Sequence, residues 1–345
     1  MPITLPMRIA APLILLILLA GIARPQFKST ARLVIVPTTI TDVKGRFVDG
    51  LEPEDLVLYD DNVAQTIQMD WMTFPVDLIV VVETGATAGA VIDKLGGSGV
   101  LFTQLLAAQG GETAIVSFSD NVIAHQTFTG NPDSVTHTLR MLRKEGGGAH
   151  VLDALVYALR MLDARPPNRR RIVLMIAEKR DRGSSATLPD AMERAQRENA
   201  SVYWLNYSPF LQPFTVKPKR MEDLKPEAER IKEKKCALCP EPDDRPAPFD
   251  AGPGGYLYAI GELARLKLPD LSELFTMATG GRNLNFLKKN ALEQSIQLVG
   301  EEIHRQYLLS FEPNGGEPGR YHSIRVAVKD RPDLKVTARQ GYWAY

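Results

Sequence analysis

Neither sign of charge is in excess in this chain: 41 Lys and Arg stand against 41 Asp and Glu, a formal net charge of zero. A protein that grips a polyanion ordinarily carries a basic surplus, so no nucleic-acid partner is expected. Long apolar runs are scarce as well. The one present, IAAPLILLILLAGIA at 9–23, lies between Arg8 and Arg24. It is short for a bilayer span, which takes about 20 apolar residues. A single charge before it and small residues at Gly21 and Ala23 fit a secretory signal peptide, residues 1–23, cleaved after Ala23. The alternative is an uncleaved anchor in the inner membrane, the only form in which a membrane contact is expected. Both place the rest of the chain outside the cytoplasm, periplasmic or extracellular.

Cysteine is nearly missing: Cys236 and Cys239, in CALC, are the 2 in the chain. In an exported protein the pair could close a small disulfide loop. The same spacing opens a helix in thioredoxin-like redox proteins, but here it sits between KEKK at 232–235 and PEP at 240–242, a loop context. A zinc site needs two more ligands, and no nearby Cys or His supplies them. Histidine is sparse too: His125, His137, His150, His304 and His322 are the 5, and none is spaced as a metal pair on one helix face. Catalytic signatures are also wanting. Ser117 and Ser119 follow a strand without the G-x-S-x-G elbow. LGGSG at 95–99 has no Lys-Ser/Thr after it and suggests a helix-breaking loop. GGG at 146–148 suggests a flexible loop. No enzyme is expected; thiol–disulfide chemistry at Cys236 and Cys239 is the alternative that stays open.

What the chain does have is 44% hydrophobic residues, enough for a large core, arranged in three zones. Residues 27–72 are rich in β-branched runs (LVIVP at 33–37, TTIT at 38–41, LVLY at 56–59, VAQTI at 63–67) separated by turn residues, which predicts hairpins. Residues 75–299 alternate strand and helix. VDLIVVV at 76–82 is a nearly continuous apolar run, as in a strand covered on both faces. TAIVSF at 113–118, RIVLMI at 171–176 and ASVYWL at 200–205 repeat that pattern. Apolar positions at 151, 152, 155, 158, 159 and 162 keep helical spacing. Strand–helix alternation over this length predicts an α/β domain with a doubly wound, mostly parallel sheet. It is interrupted at 211–255 by a Pro-rich, charged insertion, with a short helix expected near 226–234. Residues 303–345 are β again. Neither terminal segment is large enough for its own core, so 27–72 and 303–345 are expected to join in one β-sandwich-like module. RRR at 169–171 suggests a solvated strand entrance, and Tyr342 a packed aromatic.

Taken in order, these stretches resemble the von Willebrand factor type A (VWA) domain, and over about 27–345 the VWFA-related proteins found in acidobacteria. The resemblance is carried by VKGRFV at 43–48, GL at 50–51, ED at 54–55, YDD at 59–61, TGGR at 279–282, QY at 306–307, FEP at 311–313 and ARQGY at 338–342. It implies a Rossmann-like fold, a protein–protein interaction or adhesion role, and a metal-ion-dependent adhesion site made by a DxSxS loop, a Thr loop and an Asp loop. This sequence departs from that ligand set. The first loop reads ETGAT, so Glu83, Gly85 and Thr87 stand where Asp, Ser and Ser belong. The Thr loop reads GGAHVLDAL, with Ala149 for Thr and His150 beside it, and the Asp loop reads AEKRD, with Glu178 for Asp and Asp181 at its end. Gly85 and Ala149 offer no side-chain oxygen, and each Asp-to-Glu change displaces a carboxylate by about 1.5 Å. A degenerate, metal-free pocket that binds a protein partner is expected, with Lys179 or Arg180 neutralising Glu83 or Glu178. The alternative is a weak Mg²⁺ or Ca²⁺ site on Glu83, Thr87 and Glu178, which Ca²⁺ would tolerate better.

Overall fold

The structure is a computed structural model, and it describes residues 33–69, 74–107, 110–166, 169–207, 270–286, 291–313 and 319–344. The segment at 1–23, the insertion at 211–255 with Cys236 and Cys239, the helix expected near 226–234, and Tyr345 lie outside the described residues.

Four strands come first: β1 (Val34–Thr41), β2 (Leu56–Asp60), β3 (Val63–Gln65) and β4 (Gln68–Met69). Strands β5 (Val76–Glu83), β6 (Glu112–Phe118), β7 (Val122–Thr129), β8 (Arg170–Ala177), β9 (Ala200–Tyr207) and β10 (Asn283–Phe286) follow, and β11 (Tyr307–Phe311), β12 (Tyr321–Val328), β13 (Lys335–Thr337) and β14 (Gly341–Trp343) close the chain. Helices α1 (Gly89–Ala107), α2 (Pro132–Met141), α3 (Val151–Asp163), α4 (Leu188–Arg197), α5 (Leu271–Thr279) and α6 (Ala291–Arg305) are interleaved with the middle strands.

The middle strands form one six-stranded sheet in the order β10-β9-β8-β5-β6-β7, parallel except for the antiparallel edge strand β7. Every residue of β5 is buried, because helices cover both faces and alternate side chains enter different cores. Leu78, Val80 and Val82 join a cluster with residues of α1, α2 and α6. Ile79 and Val81 join another with α3, α4 and α5. This is the expected doubly wound α/β fold, and the flanking antiparallel sheets are present too. They run β13-β1-β11-β4 and β14-β12-β2-β3, so each mixes strands from both ends of the chain, and their inner residues, among them Val36, Leu58, Leu309, Val326 and Tyr342, share one apolar cluster.

Two expectations are corrected. LGGSG at 95–99 does not break a helix; it lies inside α1. The glycines let α2 approach closely: a Cβ on Gly99 would lie 2.6 Å from Thr136 Cα, and one on Gly96 3.3 Å from Arg140 Cγ. Helix interiors tolerate Gly where a neighbouring backbone needs the space. The arginine run is not a solvated entrance either. Arg169 pairs with buried Asp77, Arg171 with Glu198, and Arg170 is 5% exposed. Arg170 donates to the Ile303 carbonyl and the Gln306 side chain. Gln306 in turn donates to Thr39 and the Tyr203 hydroxyl, and Thr39 donates to Glu302. Burial pulls Arg170 down to about 10, still charged at neutral pH. This buried polar chain ties the α/β sheet to the terminal β-strands.

Candidate functional site

In the sheet, the chain winds outward from β5 in one direction through β6 and β7 and in the other through β8, β9 and β10. The crevice beyond the carboxyl ends of strands at such a reversal is where open α/β sheets hold ligands. Glu83 ends β5, and Glu178 directly follows β8. The fold therefore brings the two carboxylates together at the switch point.

Glu83 has no solvent exposure, and Glu178 is 8% exposed. The Glu178 backbone N–H donates to Glu83 Oε2 at 2.8 Å. Thr87, one turn before α1, donates its hydroxyl to Glu178 Oε1 at 2.6 Å. Arg182 Nη1 donates to Glu178 Oε2 at 3.1 Å, and Arg182 Nη2 stands 3.7 Å from Glu83 Oε1. The Tyr207 phenol, at the end of β9, faces Glu83 and Thr87. Burial is the main influence on both groups: it pushes the Glu83 carboxyl above its ordinary range, with the Glu178 N–H opposing and the Glu178 charge adding, and it raises the Tyr207 phenol.

The surrounding loops are tied to one another. Thr84 donates both its N–H and its hydroxyl to the Phe118 carbonyl, and its own carbonyl accepts from Glu145 N. Asp120 accepts from the N–H groups of Gly147 and Gly148, each at 2.9 Å, so the triple-glycine loop is held by a carboxylate. Ala149 is fully buried and exchanges backbone hydrogen bonds with Arg182. His150 occupies the N-cap position of α3 without a side-chain cap; its Nδ1 lies 3.8 Å from Asp153. Asp181 does the capping instead, accepting from Leu152 N at 3.1 Å and from the Ser184 hydroxyl and N–H. A carboxylate at a helix N-terminus satisfies an orphan N–H and complements the dipole.

Of the residues singled out from sequence, Glu83, Thr87 and Glu178 touch, with Gly85 beside them. Ala149 and His150 form an adjoining loop, and Asp181 turns away to cap α3. Three contributors were missed: Arg182, Tyr207 and Asp120. The cations expected to neutralise the carboxylates are also corrected. Lys179 pairs with Asp270 at 3.0 Å, Arg180 is exposed and bonds to neither glutamate, and Arg182 reaches both. The signal was incomplete: EKRDR at 178–182 carries three cations, and only the path of the loop decides which one turns inward.

Does this set fit a divalent cation? A hard cation of this class takes about six oxygens or more at about 2.0–2.6 Å. Both Glu178 oxygens and one Glu83 oxygen already accept hydrogen bonds within the site. A hydroxyl residue cannot simply be restored at position 85, because a Cβ there would lie 2.5 Å from the Gly148 carbonyl oxygen. Glu83 Oε1 is buried without a hydrogen bond and faces the Arg182 guanidinium at 3.7 Å, so with Arg182 in place one carboxylate oxygen stands unbonded, short of the donor set such an ion takes. A second group of acids lies elsewhere, at the β2–β3 hairpin, where Asp60 Oδ1 and Asp61 Oδ2 flank His322 Nδ1 at 3.2 and 3.3 Å. Those carboxylates also accept from Tyr342 Oη and from Ser323, so the group is held together without an ion.

Residues 92–180 match the family model of the von Willebrand factor type A domain. That stretch runs from within α1 to the loop after β8 and holds β6, β7, β8 and Glu178, whereas β5, Glu83 and Thr87 precede it. The chain contains a VWA domain. No curated protein matches it. Solved structures to which the chain is similar include the conserved hypothetical protein BatB from Bacteroides thetaiotaomicron, at 13% identity and TM-score 0.40 over 66% of this chain and 97% of that one. The VWA domain of SpRpn10 is similar at 12% identity and TM-score 0.33, over 39% of this chain and 76% of that one. The domain of the type V pili tip protein Mfa5 from Porphyromonas gingivalis is similar at 17% identity and TM-score 0.30, over 35% of this chain and 48% of the other, so the alignment spans about half of that protein's length. VWA domains commonly mediate protein–protein interaction.

Proposed function

We propose that this protein is an exported, non-enzymatic interaction or adhesion module, of the VWFA-related kind found in acidobacteria, which binds a protein partner without a bound divalent cation. The observation that carries the proposal is the Arg182 guanidinium between Glu83 and Glu178, with Thr87 on the remaining Glu178 oxygen. The adhesion site is thereby degenerate, and its loops serve as a preformed polar surface. Preformed loops favour binding because little ordering entropy is lost on contact. Residues at the rim that face solvent, Lys179, Arg180 and Gly183 on one loop and Lys144, Glu145 and Gly147 on the other, are the contact points. Export rests on the segment at 1–23, and the location is the periplasm or the extracellular space. No helix among the described residues is long and apolar enough to cross a membrane.

The test is affinity capture from the envelope fraction with the full chain as bait, with and without EDTA. The proposal expects one prey set in both conditions, and loss of that prey with the rim variant Lys179→Glu/Arg180→Glu. Capture abolished by EDTA and restored by Mg²⁺ or Ca²⁺ would overturn it.

A further inference from the structure

Arg182 differs from an ordinary surface arginine in what it faces and in how it is held. Its partners are two carboxylates on adjacent central strands, one without solvent exposure and the other almost buried. Its own side chain is 45% exposed, so it enters the crevice from the solvent side. It is attached at a fixed point, since its backbone N–H and carbonyl pair with Ala149. The residue after it, Gly183, is exposed and has φ +108, a conformation that L side chains rarely adopt. The backbone is fixed at both ends of its peptide pair, and the half-exposed side chain is held only by the two carboxylates.

Two carboxylates this close in a water-poor crevice need a positive charge. The guanidinium supplies it at 3.1 Å from one and 3.7 Å from the other. The three oxygen-bearing side chains that converge there, Glu83, Thr87 and Glu178, are hard donors suited to Mg²⁺ or Ca²⁺. Geometry and donor chemistry thus describe a cation cradle, and the Arg182 guanidinium stands in it, bonded to Glu178 and facing the otherwise unbonded Glu83 Oε1.

We infer that Arg182 is the crevice's own tethered cation, and that it excludes divalent metal by occupying the position between Glu83 and Glu178. The inference rests on the reading of this edge as a metal-free interaction surface and deepens it by naming what replaces the ion. A tethered group competes at a high effective concentration, so a free cation must first displace it. Glu178 keeps its Thr87 bond when Arg182 swings out, so the cradle survives the loss of its occupant.

The experiment is titration of the full chain with Ca²⁺ and Mn²⁺ by calorimetry, with melting curves alongside. Wild type and Arg182→Lys are expected to bind weakly or not at all. Arg182→Ala and Arg182→Gln are expected to bind about tenfold more tightly or better, each tenfold being about 1.4 kcal/mol. Adding Glu178→Gln to either is expected to remove the gain. If Arg182→Ala and Arg182→Gln bind no better than wild type, or if Arg182→Lys binds as well as they do, the inference is overturned. Should Arg182→Ala fail to fold, Arg182→Gln, which keeps part of the aliphatic stem and a polar end without the charge, decides alone. EDTA-resistant capture of a partner with no gain in the variants sinks the tethered cation and leaves the interaction module standing. EDTA-sensitive capture by the wild type sinks both, and no capture at all with a clear gain in the variants sinks the interaction module and leaves the tethered cation standing.

Discussion

Strand β5 carries a carboxylate with no solvent exposure near each end, Asp77 at its start and Glu83 at its finish. They are treated very differently. Asp77 receives Arg165 through two bonds of 2.9 Å and Arg169 through one of 2.7 Å. Arg165 also reaches Glu112 and lies over the Phe128 ring. Glu83 has one backbone N–H at 2.8 Å and one guanidinium at 3.7 Å. Bidentate, charge-assisted bonds are short and directional, whereas a contact at 3.7 Å is ionic only. The amino end of the sheet is locked by two arginines that also tie in Glu112, Phe128 and the Gly110 carbonyl. The carboxyl end is held loosely by a half-exposed arm. The same strand thus separates a structural carboxylate from one that has kept a site's geometry.

That contrast can be broken most forcefully at the locked end. Asp77→Asn leaves two guanidiniums without their shared anion, and a loss of about 3–5 kcal/mol is expected. The lower end applies because Arg165 and Arg169 are 21% and 14% exposed and water relieves part of the penalty. Urea unfolding of the two proteins checks it. At the loose end the largest effect is steric. Gly85→Ser puts a Cβ against the Gly148 carbonyl, and overpacking of this kind costs about 1–3 kcal/mol. The same variant is expected to bind Mg²⁺ no better than wild type by calorimetry, although it restores a hydroxyl.

Glu83→Gln sharpens the comparison through pH. The folded-state pKa of Glu83 lies above its unfolded value because of burial. Between those two values the folded state holds the extra proton, so this group lowers stability as pH rises through that window. Melting temperatures measured from the acid carboxylate range to neutral are expected to fall less steeply in Glu83→Gln. Some slope persists, since burial also raises Glu198 and Glu302. The smallest effect is expected from Arg182→Ala, whose half-exposed pair contributes less than about 1 kcal/mol to stability, read from the same urea curves. A loss comparable to that of Asp77→Asn would erase the distinction between the two ends.

Much of the architecture was legible along the chain. The 76–82 run marked a strand covered on both faces, and the pairing of the terminal segments followed from their inability to form separate cores. The site was legible in part. Glu83, Thr87 and Glu178 could be placed by their likeness to a known ligand pattern. Arg182 could not, because Lys179, Arg180 and Arg182 are equivalent in composition and differ only in where the loop turns them. Tyr207 closes the site from a strand whose sequence shows only that it is apolar. The glycines of α1 misled for a related reason: alone they weaken a helix, and the crossing of α2 that requires them is nonlocal.

By itself the sequence determined the alternation of strands and helices, the winding of the sheet and the departure from the metal-ligand pattern. These depend on periodicity and on which atoms each residue possesses, properties carried within a few neighbouring positions. The tertiary structure alone decided that Arg165 and Arg169 lock Asp77, that Asp181 rather than His150 caps α3, and that one arginine of three faces the buried glutamates. Those pairings join residues far apart in the chain, or choose among like residues close together. Only the closed packing of loops against the sheet sets which charges can meet without water between them.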